Sequence, residues 1–172
     1  NGVVAQNTVM EDRPANFSGY RPRNFDSAYQ GDVTVRDALQ MSLNVPAVQL
    51  LEAVGTPALF SRLRRAGAEP VLPKAETPGL ATGLGGLGLS LKDLVQLFAA
   101  LGSKGNAVSL YDGVNGQPSE PVRAAVLAPQ AAWQIIDILG GIPQPDGSAP
   151  APIAYKTGTS YGYRDAWTIG FD

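Results

Sequence analysis

The sequence predicts an α+β fold in which helices come first and an antiparallel hairpin comes last. Three observations carry this reading. Apolar residues recur at helical spacing in successive segments between Thr34 and Leu139. Most of those segments open on a capping residue or a proline and close on glycine. The C-terminal residues hold two strand-like runs on either side of Tyr161-Gly162-Tyr163, the second alternating through Trp167, Ile169 and Phe171. Helices segregated from strands argue for antiparallel pairing rather than repeated βαβ units.

Residues 1–31 show little periodicity and much Pro, Asn, Arg and Tyr, and read as extended segments and turns. So long a loop usually serves a site or a partner. Thr34, with Asp37 three residues on, is a capping box for a helix whose stripe is Val35, Ala38 and Leu39, with Ser42 next. Pro46 disfavours helical geometry at Val45, so this helix is expected to stop near Asn44. A second then runs from Pro46 with Ala47, Leu50, Leu51 and Val54 inward. Ser42 and Asn44 therefore fall at a helix–helix joint.

A third helix is expected with its cap at Thr56, Pro57 in the first turn and Gly67 as terminator. Its last-turn arginines, Arg62, Arg64 and Arg65, read as a solvated helix end that complements the dipole. The glycine cluster Gly83 to Gly88 reads as turns bordering a site and leads to Ser90. With Asp93, Ser90 caps a helix expected to bury Leu91, Leu94, Val95 and Phe98 and to end at Gly102. Runs 107–111 and 122–127 read as a pair of short strands. Pro129 opens a helix with Ala132, Ile135, Ile136 and Leu139 inward, closed by Gly140-Gly141. The hairpin follows from Ile153, with Trp167 expected in the core and Asp165 in the turn.

The 172 residues, 44% apolar and 16% charged, suit one globular domain rather than a disordered tail. A formal charge of −2, without charge blocks, gives no footprint for nucleic acid or an anionic membrane surface. The most apolar stretch, Leu84 to Leu101, is broken by Lys92 and Asp93, so no segment reads as membrane-spanning. With no cysteine and no histidine there is no disulfide, no thiolate or histidine-ligated metal site and no Ser-His-Asp triad. No cofactor or metal is expected, and acid–base work falls to Lys, Asp, Glu or Tyr. The start at Asn1 and the strand still running at Asp172 read as a fragment.

Lys156-Thr157-Gly158-Thr159-Ser160 lies on the first hairpin strand, and Lys-Thr-Gly followed by a hydroxyl residue on a strand is a known part of serine acyl-transfer sites. Alone it also reads as a strand with an exposed lysine and two β-favouring threonines. Ser42-Leu43-Asn44 alone reads equally as a serine and an asparagine at a helix end. Their order adds weight: Ser-x-Asn at a helical joint, glycine-rich turns before a helix, then Lys-Thr-Gly-Thr on a late strand.

These blocks resemble class A penicillin-binding proteins, most closely the 1C type. The resemblance rests on Tyr20-Arg21-Pro22-Arg23-Asn24-Phe25-Asp26, Gly31 to Leu39, Ser42 to Val48, Leu84 to Leu91, Lys156 to Ser160 and Arg164-Asp165-Ala166-Trp167. It implies a β-lactamase/transpeptidase-like fold: an antiparallel sheet flanked by helices, joined to a helical lobe, with the site in the cleft between. It implies that residues 1–172 are the C-terminal part of such a domain, lacking the Ser-x-x-Lys segment and the last strand or strands. No serine here is followed three residues later by lysine.

The implied function is D-Ala-D-Ala transpeptidation of peptidoglycan stem peptides through a serine acyl-enzyme, with β-lactams acylating the same serine. The fragment by itself would then be inactive. Ser42, Asn44 and Lys156 are the expected catalytic residues, and Thr157, Gly158 and Thr159 the expected substrate-binding ones. The implied partners are the stem peptide, β-lactams and a glycosyltransferase domain of the same full-length chain. The implied location is the periplasm, with the full-length protein anchored in the inner membrane. Two rivals share the motifs: a serine β-lactamase, and a β-lactam-binding, peptide-binding or scaffolding domain without turnover.

Overall fold

The computed structural model describes residues 2–72, 79–111, 113–114, 124–148, 151–160 and 165–172. In chain order the elements are β1 (Val9–Asp12), β2 (Gly31–Thr34), α1 (Val35–Gln40), α2 (Asn44–Val54), α3 (Thr56–Arg65), a 3-10 helix (Leu80–Leu84), α4 (Leu91–Gly102), α5 (Pro129–Gly140), β3 (Ala154–Thr159) and β4 (Ala166–Phe171). The strands form two antiparallel pairs. β1 lies on β2 with Asp12 opposite Gly31, and β3 lies on β4 with Gly158 opposite Trp167.

The capping chemistry read from sequence is present. Thr34 and Asp37 exchange hydrogen bonds at the start of α1, and Ser90 and Asp93 do so at the start of α4. α3 ends in a Schellman motif: Gly67 stands at φ 86°, Ala68 N–H donates to Leu63 O at 3.0 Å and Gly67 N–H to Arg64 O at 3.0 Å.

Several expectations are corrected. The N-terminal loop contains β1, whose partner β2 lies about twenty residues on. α1 stops at Gln40, and α2 starts at Asn44 rather than at Pro46, so Val45 is helical in spite of the proline after it. Val45 and Pro46 are fully buried. Burying a valine side chain contributes about 2 kcal/mol, and the proline sits among the first four positions, where the missing N–H donor costs no intrahelical hydrogen bond. α3 has Gly55, at φ 83°, in its cap position, with Thr56 as the first helical residue.

Residues 107–111 form no strand. Asn106 and Ala125 make an isolated bridge, and Ala107 N–H donates to Ala124 O at 2.8 Å. Residues 122 and 123, part of the second expected strand, and the Tyr161-Gly162-Tyr163 turn lie outside the described residues. Arg62 and Arg65 are more than a solvated helix end, because they donate to the carbonyls of Val126 and Ala125 at 2.6 and 3.3 Å.

α4 buries Asp93, Gln96 and Ala100, whereas Leu91 and Val95 are 57% and 37% exposed. In α5 Ile138 is buried with Ala132 and Leu139, while Ile135 and Ile136 are only partly covered. Trp167 is 43% exposed rather than core, and the Phe171 ring meets Phe98 of α4 edge-on at 6.2 Å.

The packing divides into two parts, joined at a helix–helix seam and again where Ala66, at the end of α3, packs with Leu97, Ala107 and Val126. β1, α1, α3 and the 3-10 helix surround α2, whose Val45, Pro46, Val48 and Leu51 are buried. Gly83 comes so close that a Cβ there would stand 2.9 Å from Leu51 Cδ2, so the glycine cluster serves close packing onto α2. α4 and α5 back the β3–β4 hairpin. The seam is α1 against α5, where Arg36 pairs with the Asp137 carboxylate and Gln40 Nε2 donates to Ile138 O at 2.8 Å.

Candidate active site

Ser42 owes its position to how α1 ends. Met41 is the C-cap, and Ser42 follows at φ 57°, a left-handed conformation usually given to glycine. Leu43 N–H donates to Ala38 O at 2.9 Å and Ser42 N–H to Leu39 O at 3.2 Å, which is the Schellman pattern again. Leu43 and Ala38 pack together with Val33, the apolar contact that accompanies this motif. A non-glycine residue here costs on the order of 1 kcal/mol, and such backbone strain concentrates at functional sites.

Lys156 comes to Ser42 from the other side of the seam. Its Nζ donates to Ser42 Oγ and, at 2.9 Å, to Thr157 O. The two residues are 114 positions apart in sequence. Lys156 is half-buried, and that burial pushes its pKa below the ordinary lysine value by disfavouring the ammonium.

Asn44 is the first residue of α2, where the N-cap residue Leu43 offers no side-chain acceptor. Its backbone N–H donates instead to Asn24 Oδ1 at 2.8 Å, and its side-chain Nδ2 donates to Arg23 O at 2.7 Å. One amide N–H and Oδ1 are left for a ligand. Asn24 is itself held by Asp12: Nδ2 stands 3.0 and 2.8 Å from the two carboxyl oxygens and 2.7 Å from Ala28 O.

Just past the end of β3 the Ser160 N–H donates to Asp165 O at 2.9 Å. Asp165 and Ser160 also join through their side chains, at 3.1 Å and through Asp165 N–H at 2.9 Å, so the two residues tie the ends of β3 and β4 together. Hydrogen-bonded and open positions alternate along an antiparallel pair. Thr159 and Thr157 therefore direct their backbone groups away from β4, an orientation matched by Thr157 O receiving Lys156 on that side. Thr157, Gly158 and Thr159 are exposed, and nothing lies within 4 Å of where a Gly158 Cβ would be. Among the described residues β4 is the one strand paired to β3, so the other edge of β3 carries no strand partner there, the arrangement by which an extended peptide can add to a sheet.

The structure thus joins Ser42, Lys156 and Thr157 directly, holds Asn44 at the head of α2, and sets Gly158 and Thr159 along the open edge. Asp12 and Asn24 were missed by sequence reasoning. Asn24 lies inside the Tyr20 to Asp26 block, but Asp12 carries no signal beyond being a carboxylate in a short strand.

A family model described as penicillin-binding protein transpeptidase domain matches residues 1–172. Penicillin-binding protein 1C of Escherichia coli strain K12 is 40% identical over 98% of this chain and 22% of its own length. The chain therefore spans less than a quarter of that relative. Penicillin-binding protein 1A from Haemophilus influenzae superposes with a TM-score of 0.75 at 18% identity, over 98% of this chain and 33% of that one. Penicillin-binding protein A from M. tuberculosis, as an imipenem acyl-enzyme complex, gives 0.75 at 21% identity, over 98% of this chain and 47% of that one. At those identities the superpositions establish the fold, which is that of the β-lactamase/transpeptidase-like domains. With the whole of its length matched by one family model, the chain belongs to the penicillin-binding protein transpeptidase domain family.

Proposed function

We propose that this chain is the C-terminal part of a serine D-Ala-D-Ala transpeptidase domain that cross-links peptidoglycan stem peptides and is acylated by β-lactams. The observation that carries the reading is the Lys156 ammonium seated on the Ser42 hydroxyl beside an open strand edge. The nucleophile belongs to a Ser-x-x-Lys segment of the full-length protein. Its hydroxyl attacks the carbonyl of the penultimate D-alanine, the terminal D-alanine leaves as an amine, and a second stem peptide's amine resolves the acyl-enzyme. A serine hydroxyl is a weak nucleophile at neutral pH, and with no histidine the proton acceptor is the motif lysine.

Each residue of this chain then has a part. The Lys156 charge favours the neutral, basic form of that lysine. Ser42 relays the proton toward the leaving amine, and the Asn44 amide hydrogen-bonds the substrate backbone. Gly158 lets the substrate lie along β3 as an added strand, and Thr159 N–H faces the developing oxyanion. The hydroxyls of Thr157 and Thr159, with Lys156, take the terminal carboxylate. The full-length protein supplies a glycosyltransferase domain and an inner-membrane anchor, and this domain works in the periplasm. No helix among the described residues is long and apolar enough to cross a membrane.

The test is intact-mass analysis of the full-length protein after incubation with penicillin. One penicilloyl adduct is expected, and Lys156→Ala is expected to slow its formation about a hundredfold, the scale of losing an electrostatic contact to the reacting centre. Because burial depresses the Lys156 pKa, its cationic form disappears below the ordinary lysine range as pH rises. Acylation should therefore fall on the alkaline side at a pH below that range. A folded protein that gains no adduct would leave only a binding or scaffolding domain.

A further inference from the structure

Asp12 is 0% exposed, and no arginine or lysine among the described residues pairs with it. Its carboxyl oxygens accept instead from the Asn24 amide and, at 2.8 Å, from Gln30 N–H. A carboxyl group at that depth is expensive unless its lone pairs are filled, so its neighbours are tightly constrained. The constraint passes outward. With Nδ2 of Asn24 held by Asp12 and Ala28 O, its Oδ1 has one direction left, and there it meets the Asn44 N–H at 2.8 Å.

Asn24 thus acts as the N-cap of α2 from twenty residues away, a service that Leu43 cannot perform. Arg23, the residue before it, takes the Asn44 side chain at the same time. Both handles of Asn44 are therefore set by the segment that Asp12 anchors. Ser42 is caught between this anchored helix start and the Schellman bonds of α1, which leaves its left-handed backbone no slack.

We infer that Asp12 and Asn24 are positioning residues for acyl transfer, which fix the Ser42–Asn44 segment against Lys156 through the head of α2. This rests on the transpeptidase reading above. The Asp12–Asn24 pair itself touches no substrate. It sets the orientation of the groups that do, where a displacement near 1 Å lowers rates by up to about a hundredfold.

The experiment is stopped-flow acylation of the full-length protein by a fluorescent penicillin, with rates expressed per titrated active site and melting temperatures recorded alongside. Asn24→Ala is expected to lower the acylation rate constant between about tenfold and a hundredfold while penicillin binding changes less. Asp12→Asn keeps the volume but turns one amide N–H toward a donor, and is expected to lower the same rate constant. It also serves if Asn24→Ala fails to fold. Asn16→Ala, in the same segment, whose side chain accepts from Gly19 N–H at 2.8 Å, is expected to match wild type. A wild-type rate constant per site in the two variants, with only a lower melting temperature, would reduce Asp12 and Asn24 to a remote helix cap and overturn the inference. Absence of acylation in the wild-type protein would instead strike the transpeptidase reading.

Discussion

Ser42 is where stability and chemistry pull in opposite directions. Its φ of 57° is the conformation in which glycine has no Cβ penalty, at the position of a helix C-terminus where glycine is most common. Serine is there for its hydroxyl, which receives Lys156. Ser42→Gly is therefore expected to raise the stability of the domain by up to about 1 kcal/mol, the left-handed penalty less glycine's extra unfolded-state freedom. It should also cut penicillin acylation by two orders of magnitude or about that. Denaturant melts of the full-length protein read the first effect and adduct formation the second. A destabilised Ser42→Gly would mean that the hydroxyl matters more to the fold than the strain does.

At the scale of the element, α4 separates what is legible in a sequence from what is not. The Ser90–Asp93 capping box depends only on residues three apart, and it forms as the sequence predicts. Which face of the helix is buried depends on the rest of the chain. Asp93 is buried with Gln96 and Ala100, while Leu91 and Val95 remain exposed.

Burial by itself would raise the Asp93 pKa. Hydrogen bonds from the Ser90 hydroxyl and from the backbone N–H groups of Ser90 and Glu69 outweigh it, and the net direction is downward. A carboxyl whose folded pKa lies below its unfolded value stabilises the fold above the unfolded pKa, and that contribution is lost as pH falls through the folded one. Urea melts taken from neutral to acid pH should show that loss, and Asp93→Asn should be less stable at neutral pH with a flatter acid limb. An acid limb unchanged in Asp93→Asn would assign the acid sensitivity to other carboxyls.

For the molecule as a whole, the distance between Ser42 and Lys156 is set by the seam between α1 and α5. Arg36 reaches across to Asp137, through its side chain and at 3.4 Å through its carbonyl, and also donates to Gln6 Oε1 at 2.7 Å. Both members of the ion pair are partly exposed, so the pair itself is worth no more than about 1 kcal/mol. Its larger effect is geometric, because α5 packs on β3, the strand that carries Lys156. Arg36→Ala is expected to slow acylation several-fold with a loss of stability near 1 kcal/mol. Gln49→Ala, whose side chain bonds Glu11 O at 3.1 Å away from the seam, should leave the rate unchanged. Equal rates in both variants would show that the seam holds without the ion pair.

The sequence by itself determined the helices of the middle of the chain, the capping boxes at Thr34 and Ser90 and the glycine stops, the closing hairpin, and the Ser-x-Asn and Lys-Thr-Gly-Thr motifs with their order. Each of these is written in residues a few positions apart, where backbone preference and side-chain capping act without help. Only the tertiary structure decided that Val45 is helical before a proline, that β1 pairs with β2, that Trp167 is half out of the core, and that Asp12 holds Asn24 against Asn44. It also decided that Lys156 meets Ser42 across 114 residues. These outcomes depend on partners far apart in sequence, whose burial and hydrogen bonds override local preference once the chain has brought them together.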